Sequence, residues 1–185
     1  MPIARIPPPG RAVALKTVRV STRAGNRSRG WLTAGPVRMP VALGRSGIRA
    51  DKREGDGATP RGHFRPVRVW WRADHGVRPR TLLPVRRIGR ADAWCEDPAD
   101  PRYNQPIRLV DGRSDDRLWR ADHLYDLIVE LDHNARPRIA RRGSAIFVHI
   151  ARPGFRHTAG CIALSAGSLR RLLARIGRKT RIMIH

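Results

Sequence analysis

Apolar residues recur along the chain in short runs, separated by Gly, Pro, Asp and Arg clusters, the pattern of strands joined by turns. Val13-Ala14-Leu15 and Val18-Arg19-Val20 predict a first strand, although the two triplets fall in opposite phases. Trp31-Leu32 and Val37 to Leu43 predict further strands, the second interrupted at Met39-Pro40. Phe64 to Trp71 alternates in its latter part, with Val67, Val69 and Trp71 on one side and Arg68 and Trp70 on the other. Leu82 to Val85 is a weaker strand, and Leu124 to Leu131 a strong one that ends in the polar turn Asp132-His133-Asn134. Ile146-Phe147-Val148 and Ile162-Ala163-Leu164 read as two short buried strands, and Thr180 to Ile184 as the last. A single helix stands out. Leu169, Leu172, Leu173 and Ile176 follow the N-cap residue Ser165 at i, i+3, i+4 and i+7 spacing, and Gly177 is the stop.

Two polar stretches, Arg45 to Gly62 and Gly89 to Asp116, predict long loops. Trp94 is expected to pin the second loop to the body, while Tyr103 either pins it or lines a pocket. The pattern as a whole is that of a mainly β domain with one well-defined helix near the C-terminus and long loops. Residues 1–10 read as a flexible tail and 11–185 as one domain, since 185 residues suffice for a single substantial core.

Charge adds a second layer. The net charge is +23, and lysine accounts for only Lys16, Lys52 and Lys179 among 38 basic residues. Such a surface attracts polyanions, yet the arginines are scattered and the aromatics few, so no specific nucleic-acid partner is implied. No stretch is long and apolar enough to span a membrane, and the first ten residues hold no continuous apolar run that would read as a secretory signal. The histidines at 63, 75, 123, 133, 149, 157 and 185 lack the spacing of zinc ligands, and no nucleotide loop is present; no metal and no cofactor are expected.

Candidate chemistry concentrates between Ile146 and Leu164. His149 ends one apolar run, and Cys161, twelve positions later, opens the next. A Pro/Gly/Arg loop joins the two, so their side chains can share one cleft. A thiol becomes reactive when a neighbouring imidazole draws off its proton, and Gly160 lets the backbone turn and aim N–H groups at an oxyanion. On spacing alone, the same residues also fit an ordinary structural role. His157 competes as the base, but a loop fixes a ring less well than a strand end. Cys95, the second cysteine, is expected to be a structural thiol.

His149 followed by Thr158-Ala159-Gly160-Cys161 resembles the signature of the L,D-transpeptidase catalytic domain, also called YkuD-type: a histidine and, after a loop, Ser/Thr-x-Gly-Cys. Upstream, Lys52-Arg53-Glu54-Gly55-Asp56-Gly57-Ala58-Thr59-Pro60-Arg61-Gly62-His63-Phe64 is similar to the family segment ending Thr-Pro-x-Gly-x-Phe. The similarity runs from about Val13 to the C-terminus. It implies an L,D-transpeptidase-like β-sandwich and peptidoglycan stem peptides as substrate. It also implies a thioester acyl-enzyme on Cys161 that passes its acyl group to an amine, with His149 as general base and carbapenems as acylating inhibitors. Backbone groups around Thr158, Ala159 and Gly160 then form the oxyanion site. A periplasmic or wall location follows from the resemblance, with the cytoplasm left open by the missing signal; a monomer is expected. One departure matters. Many members carry Arg two places after the cysteine, where this chain has Ala163. Arg152 and Lys52 are the candidates to meet substrate carboxylates instead, with Tyr103 as a further contact. Two alternatives remain: a hydrolytic carboxypeptidase or endopeptidase using the same pair, and a non-catalytic basic module that binds polyanions.

Overall fold

The computed structural model describes residues 14–109 and 116–185. The tail read at 1–10, and Val13 of the first strand, lie outside the described residues. β1 (Thr17–Arg23), β2 (Asn26–Ala34) and β3 (Val37–Ala42) form an antiparallel meander. β3 runs straight through Met39-Pro40, where an interruption was expected. Leu43 N–H donates to Ser28 O, so by strand alternation Pro40 sits in a non-hydrogen-bonded position that faces away from β2. The next strand pairs with β3 only at Ala42, so no amide donor is needed at Pro40.

The long loop after β3 carries a small parallel pair, β4 (Ile48–Arg49) with β5 (Thr59–Pro60). The run expected as one strand at Phe64 to Trp71 is two, β6 (Gly62–Phe64) and β7 (Pro66–Trp71), broken at Arg65. Next come β8 (Val85–Arg87), displaced from the expected Leu82 to Val85, and β9 (Asp92–Trp94), β10 (Pro106–Arg108) and β11 (Asp116–Arg117). The last three form a small antiparallel sheet where an irregular loop was expected; their strands are too short and polar to show periodicity. The chain finishes with β12 (Leu127–Leu131), β13 (Phe147–Ile150), β14 (Ile162–Leu164), α1 (Ala166–Leu173) and β15 (Arg181–Ile184). β12 begins at Leu127, later than expected, because Leu124 to Asp126 form a turn.

The main sheet has the order β6-β15-β1-β2-β3-β14-β13-β12-β7-β8. β6 and β7 are separated by one residue yet lie near opposite ends of that order, so the sheet curls until its ends approach. A ten-stranded twisted sheet relieves its twist in this way. The curl makes a sandwich-like half-barrel: Val18, Leu32, Val69 and Val129, from distant strands, share one core with α1. Ser165 caps α1 as expected, its hydroxyl accepting from Ser168 N–H. The helix buries Leu169, Leu172 and Leu173, and Ile176 beyond its end completes the stripe. Among the described residues no helix is long and apolar enough to cross a membrane.

Because Leu172 is fully buried in this shared core, Leu172→Ala is expected to destabilise the protein by about 2–5 kcal/mol. Urea unfolding measures this; a change well below the range would mean that α1 is not part of the main core.

Candidate active site

β13 and β14 run parallel, with Val148 opposite Ile162, His149 opposite Ala163 and Ile150 opposite Leu164. Alternate residues of a strand share a face, so Phe147 and His149 project on the same side as Cys161 and Ala163. Ordinary strand spacing then puts the Cα atoms of His149 and Cys161 about 8 Å apart. The opposite face, with Val148, Ile162 and Leu164, belongs to the core over α1. The His149 face meets a second cluster, in which Phe147 and Cys161 pack with Trp70, Ile128, Trp94 and Leu118. Trp94 stacks edge-on against Phe147, and Asn104 Oδ1 accepts from Trp94 Nε1–H at 3.0 Å and from Ala145 N–H at 3.1 Å, which pins the 92–108 segment over this face. Cys95 is buried within the same segment, in a small cluster with Ala93 and Ile107, and neither cysteine is in a disulfide.

Cys161 and His149 both line a pocket of about 500 Å³. Their residues are only 8% and 6% exposed. His149 Nδ1 is 2.8 Å from Ile150 O. A carbonyl can only accept, so Nδ1 carries the proton and Nε2 keeps its lone pair. The Cys161 thiol donates to Ala145 O at 3.1 Å, and its sulfur accepts from Phe147 N–H at 3.4 Å. Tyr125 packs edge-on against the imidazole, with 5.3 Å between ring centroids, and its hydroxyl donates to Asp116 at 2.9 Å.

Electrostatics at the site follow from burial. Desolvation pushes the Cys161 thiol up to about 12 and drives the His149 imidazole down to about 4, with Arg120 and Arg152 adding to the latter. A neutral thiol and a neutral imidazole are therefore the resting forms at pH 7. The expected thiolate held by an imidazolium is not the resting state, because neither charge would be solvated here. Burial likewise raises Asp116 and Tyr125, so the wall around Tyr125 disfavours negative charge.

The turn before the cysteine is tightly specified. Thr158 N–H donates to Leu43 O, Thr158 Oγ1 donates to Cys161 O, and Gly160 N–H donates to Thr158 Oγ1. Gly160 has φ +156°, and a Cβ there would lie 2.8 Å from the Ala58 carbonyl oxygen, so only glycine fits. Of the Thr158, Ala159 and Gly160 amides expected to serve an oxyanion, those of Thr158 and Gly160 are thus already used. The Ala159 N–H is left for it, with that of Cys161 two residues on.

The other expected contacts divide. Arg152 lines the pocket, exposed and without a carboxylate partner among the described residues. His157 also lines it, as an exposed rim residue. Lys52 reaches the wall, but its ammonium is committed to Asp56 Oδ1 and Arg53 O, each at 2.6 Å. Burial opposes the charge of Asp56, and hydrogen bonds from Lys52, Arg53 and Ala58 overcome it and hold its carboxyl below the usual range. Lys52 is thus a strut of the 52–58 loop. Tyr103 is not among the residues lining this pocket; it is buried, and its hydroxyl donates to Glu54. Sequence reasoning missed Arg45, Arg120, Arg156, Glu96, Asp116 and Tyr125, all on the pocket wall. Most come from loops whose sequence carries no periodic signal; Asp116 starts the two-residue β11, and Tyr125 falls in the turn ahead of β12 that the apolar run at Leu124 had concealed.

Residues 17–184 match the family described as the L,D-transpeptidase catalytic domain, YkuD. The chain belongs to that family. No curated protein and no solved structure is significantly similar to it. Seen as a YkuD domain, the chain has Ala163 directly opposite His149 on the pocket wall, where many members are expected to carry arginine. Arg45, Arg120, Arg152 and Arg156 supply guanidinium groups around the same pocket from other segments. A separate group, which does not border the pocket, brings two of the histidines together although their spacing in the sequence is not that of zinc ligands. His75, His123 and Asp126 bring one ligand atom each to within 4.8 Å of one another. The sequence hides this because the two histidines lie on different loops.

The His149 shift has a consequence for stability. In the unfolded chain the imidazole titrates at its ordinary 6.5, and in the folded chain at about 4. Between these values the unfolded chain binds the extra proton, so stability is fully present above 6.5 and falls as the pH drops towards 4. His149→Gln should flatten this part of the pH–stability curve, compared by urea unfolding at both ends of that range. Parallel curves for variant and wild type would show that His149 is not buried as a neutral ring.

Proposed function

We propose that the protein is a cysteine-dependent acyltransferase acting on peptidoglycan stem peptides. The observation that carries this reading is the joint exposure of a buried thiol and an oriented imidazole to one pocket, with Nε2 of His149 unprotonated. Membership of the YkuD family supports the same reading and suggests the substrate.

The neutral resting pair sets the order of events. As Cys161 Sγ attacks a peptide carbonyl carbon, its proton passes to His149 Nε2, so charge develops only once the attack is under way. The carbonyl oxygen becomes an oxyanion, held by the N–H groups of Ala159 and Cys161. When the tetrahedral intermediate collapses, the C–N bond breaks and His149 returns the proton to the leaving amine. A thioester on Cys161 remains. An acceptor amine, deprotonated by His149, then attacks the thioester and restores the thiol. Water in its place gives hydrolysis by the same steps. Stem peptides carry free carboxylates, and Arg152 and Arg156, exposed on the rim without carboxylate partners among the described residues, are suited to meet them.

The test feeds a stem tetrapeptide to the protein with and without an amine acceptor and separates cross-linked dimer from free tripeptide. Dimer that depends on the acceptor is expected. Cys161→Ala should abolish it, and His149→Ala should slow it by roughly 10²–10⁴-fold. Tripeptide alone would assign a hydrolase. Turnover that survives Cys161→Ala, or steeply salt-dependent polyanion binding with no turnover, would overturn the reading.

A further inference from the structure

We propose that His75, His123 and Asp126 form a binding site for a divalent transition metal of the zinc class, a clasp behind the active-site wall. The assignment is independent of the acyl-transfer reading. His75 Nδ1 lies 2.7 Å from Asp126 Oδ1 and His123 Nδ1 lies 2.9 Å from Asp126 Oδ2. The two imidazole rings are 4.6 Å apart between centroids. All three ligand atoms fall within 4.8 Å of one another. Zinc bonds to nitrogen and carboxylate oxygen are about 2.0–2.2 Å long, so small rotations of these side chains suffice to enclose an ion. Two imidazoles and one carboxylate suit zinc and its first-row neighbours better than calcium or magnesium, which prefer all-oxygen sites.

The carboxylate at the centre is Asp126, which faces both imidazoles. Its acidic neighbours Asp74 and Asp122 are paired with Arg72 and Arg120, which leaves Asp126 as the carboxylate that the two histidines share. Without a metal, each Nδ1 donates its proton to Asp126. Coordination needs the Nδ1 lone pairs, so each proton moves to Nε2 of its own ring. For His75 that proton has a ready acceptor, since Nε2 lies 3.4 Å from Asp74 Oδ2. Arg72 also touches this Nε2, at 3.1 Å, and keeps its paired contacts to Asp74 at 2.8 and 2.7 Å if it yields. A carboxylate behind a ligating imidazole is the usual outer partner of a metal-bound histidine. The side chain of His123 is 67% exposed, which leaves water to fill the remaining positions.

The position gives the ion a task. His75 follows the end of β7, while His123 and Asp126 flank Leu124 and Tyr125. Leu124 O accepts from Ile150 N–H at 3.1 Å, and Tyr125 packs on His149. A bound metal would fasten the loop that backs the imidazole to the end of β7.

The test titrates zinc chloride into the reduced full chain by calorimetry in a non-chelating buffer. One zinc per chain is expected, and nitrogen chemical shifts of the His75 and His123 rings should report coordination through Nδ1. His123→Gln, at an exposed position, should weaken binding at least about tenfold, as should Asp74→Asn behind His75. Cys161→Ser should leave it unchanged. Absence of one-to-one binding, equal binding by His123→Gln, or loss of binding in Cys161→Ser would each overturn the assignment. Matching unfolding midpoints of metal-free His123→Gln and wild type would exclude misfolding as the cause of weaker binding.

Discussion

The parallel pairing of β13 with β14 is the constraint on which the site depends. Parallel neighbours cannot be joined by a tight hairpin, so residues 151–161 must leave the end of one strand and return to the start of the other. That return segment is what carries Thr158, Gly160 and Cys161. Backbone hydrogen bonds tie it to its neighbours: Ala151 N–H donates to Leu164 O, Thr158 N–H to Leu43 O, and Arg45 N–H to Thr158 O, while the Arg29 side chain donates to Gly154 O. The register then decides which side chains meet. A slip of one residue would send Cys161 into the core over α1, away from the pocket that His149 lines.

Burial on that face sets the chemistry that is available. A thiolate–imidazolium pair needs water or strong dipoles to hold its charges, and among the described residues the sulfur's hydrogen-bond partners are one carbonyl and one amide. The neutral form is therefore the ground state, and the cost of separating charge falls on the reaction step. Ala163 fits this picture. An arginine opposite His149 would place a fixed positive charge on the strand floor; here the guanidinium groups stand instead on the loops around the rim. The cationic groups of the pocket are thereby moved from the sheet to the segments that cover it.

Much of this architecture was legible in the sequence where a physical periodicity existed. The stripe on α1, the Ser165 cap and the apolar runs of β7, β13 and β14 each follow from one local rule. That His149 and Cys161 could border one cleft follows from the same kind of rule, because two apolar strands and a connecting loop leave few arrangements, and both line the pocket. Local rules failed where long-range pairing decides. Pro40 is tolerated because of where β14 stops, and β9 to β11 are recruited by Trp94 and Phe147 despite their polar sequences. Lys52 looked like a free cation because its partner, Asp56, is revealed only by the turn between them. Tyr103 resolved towards pinning for a similar reason: Glu54 reaches it from another loop.

The proposed chemistry requires that one buried, neutral thiol be made nucleophilic by His149 at the moment of attack. Intact-mass measurement of the reduced, folded protein after exposure to a carbapenem, a strained acyl donor, reads that step. A single adduct that maps to Cys161 and forms far more slowly in His149→Ala is expected. An unmodified protein, or an adduct on Cys95, would contradict it.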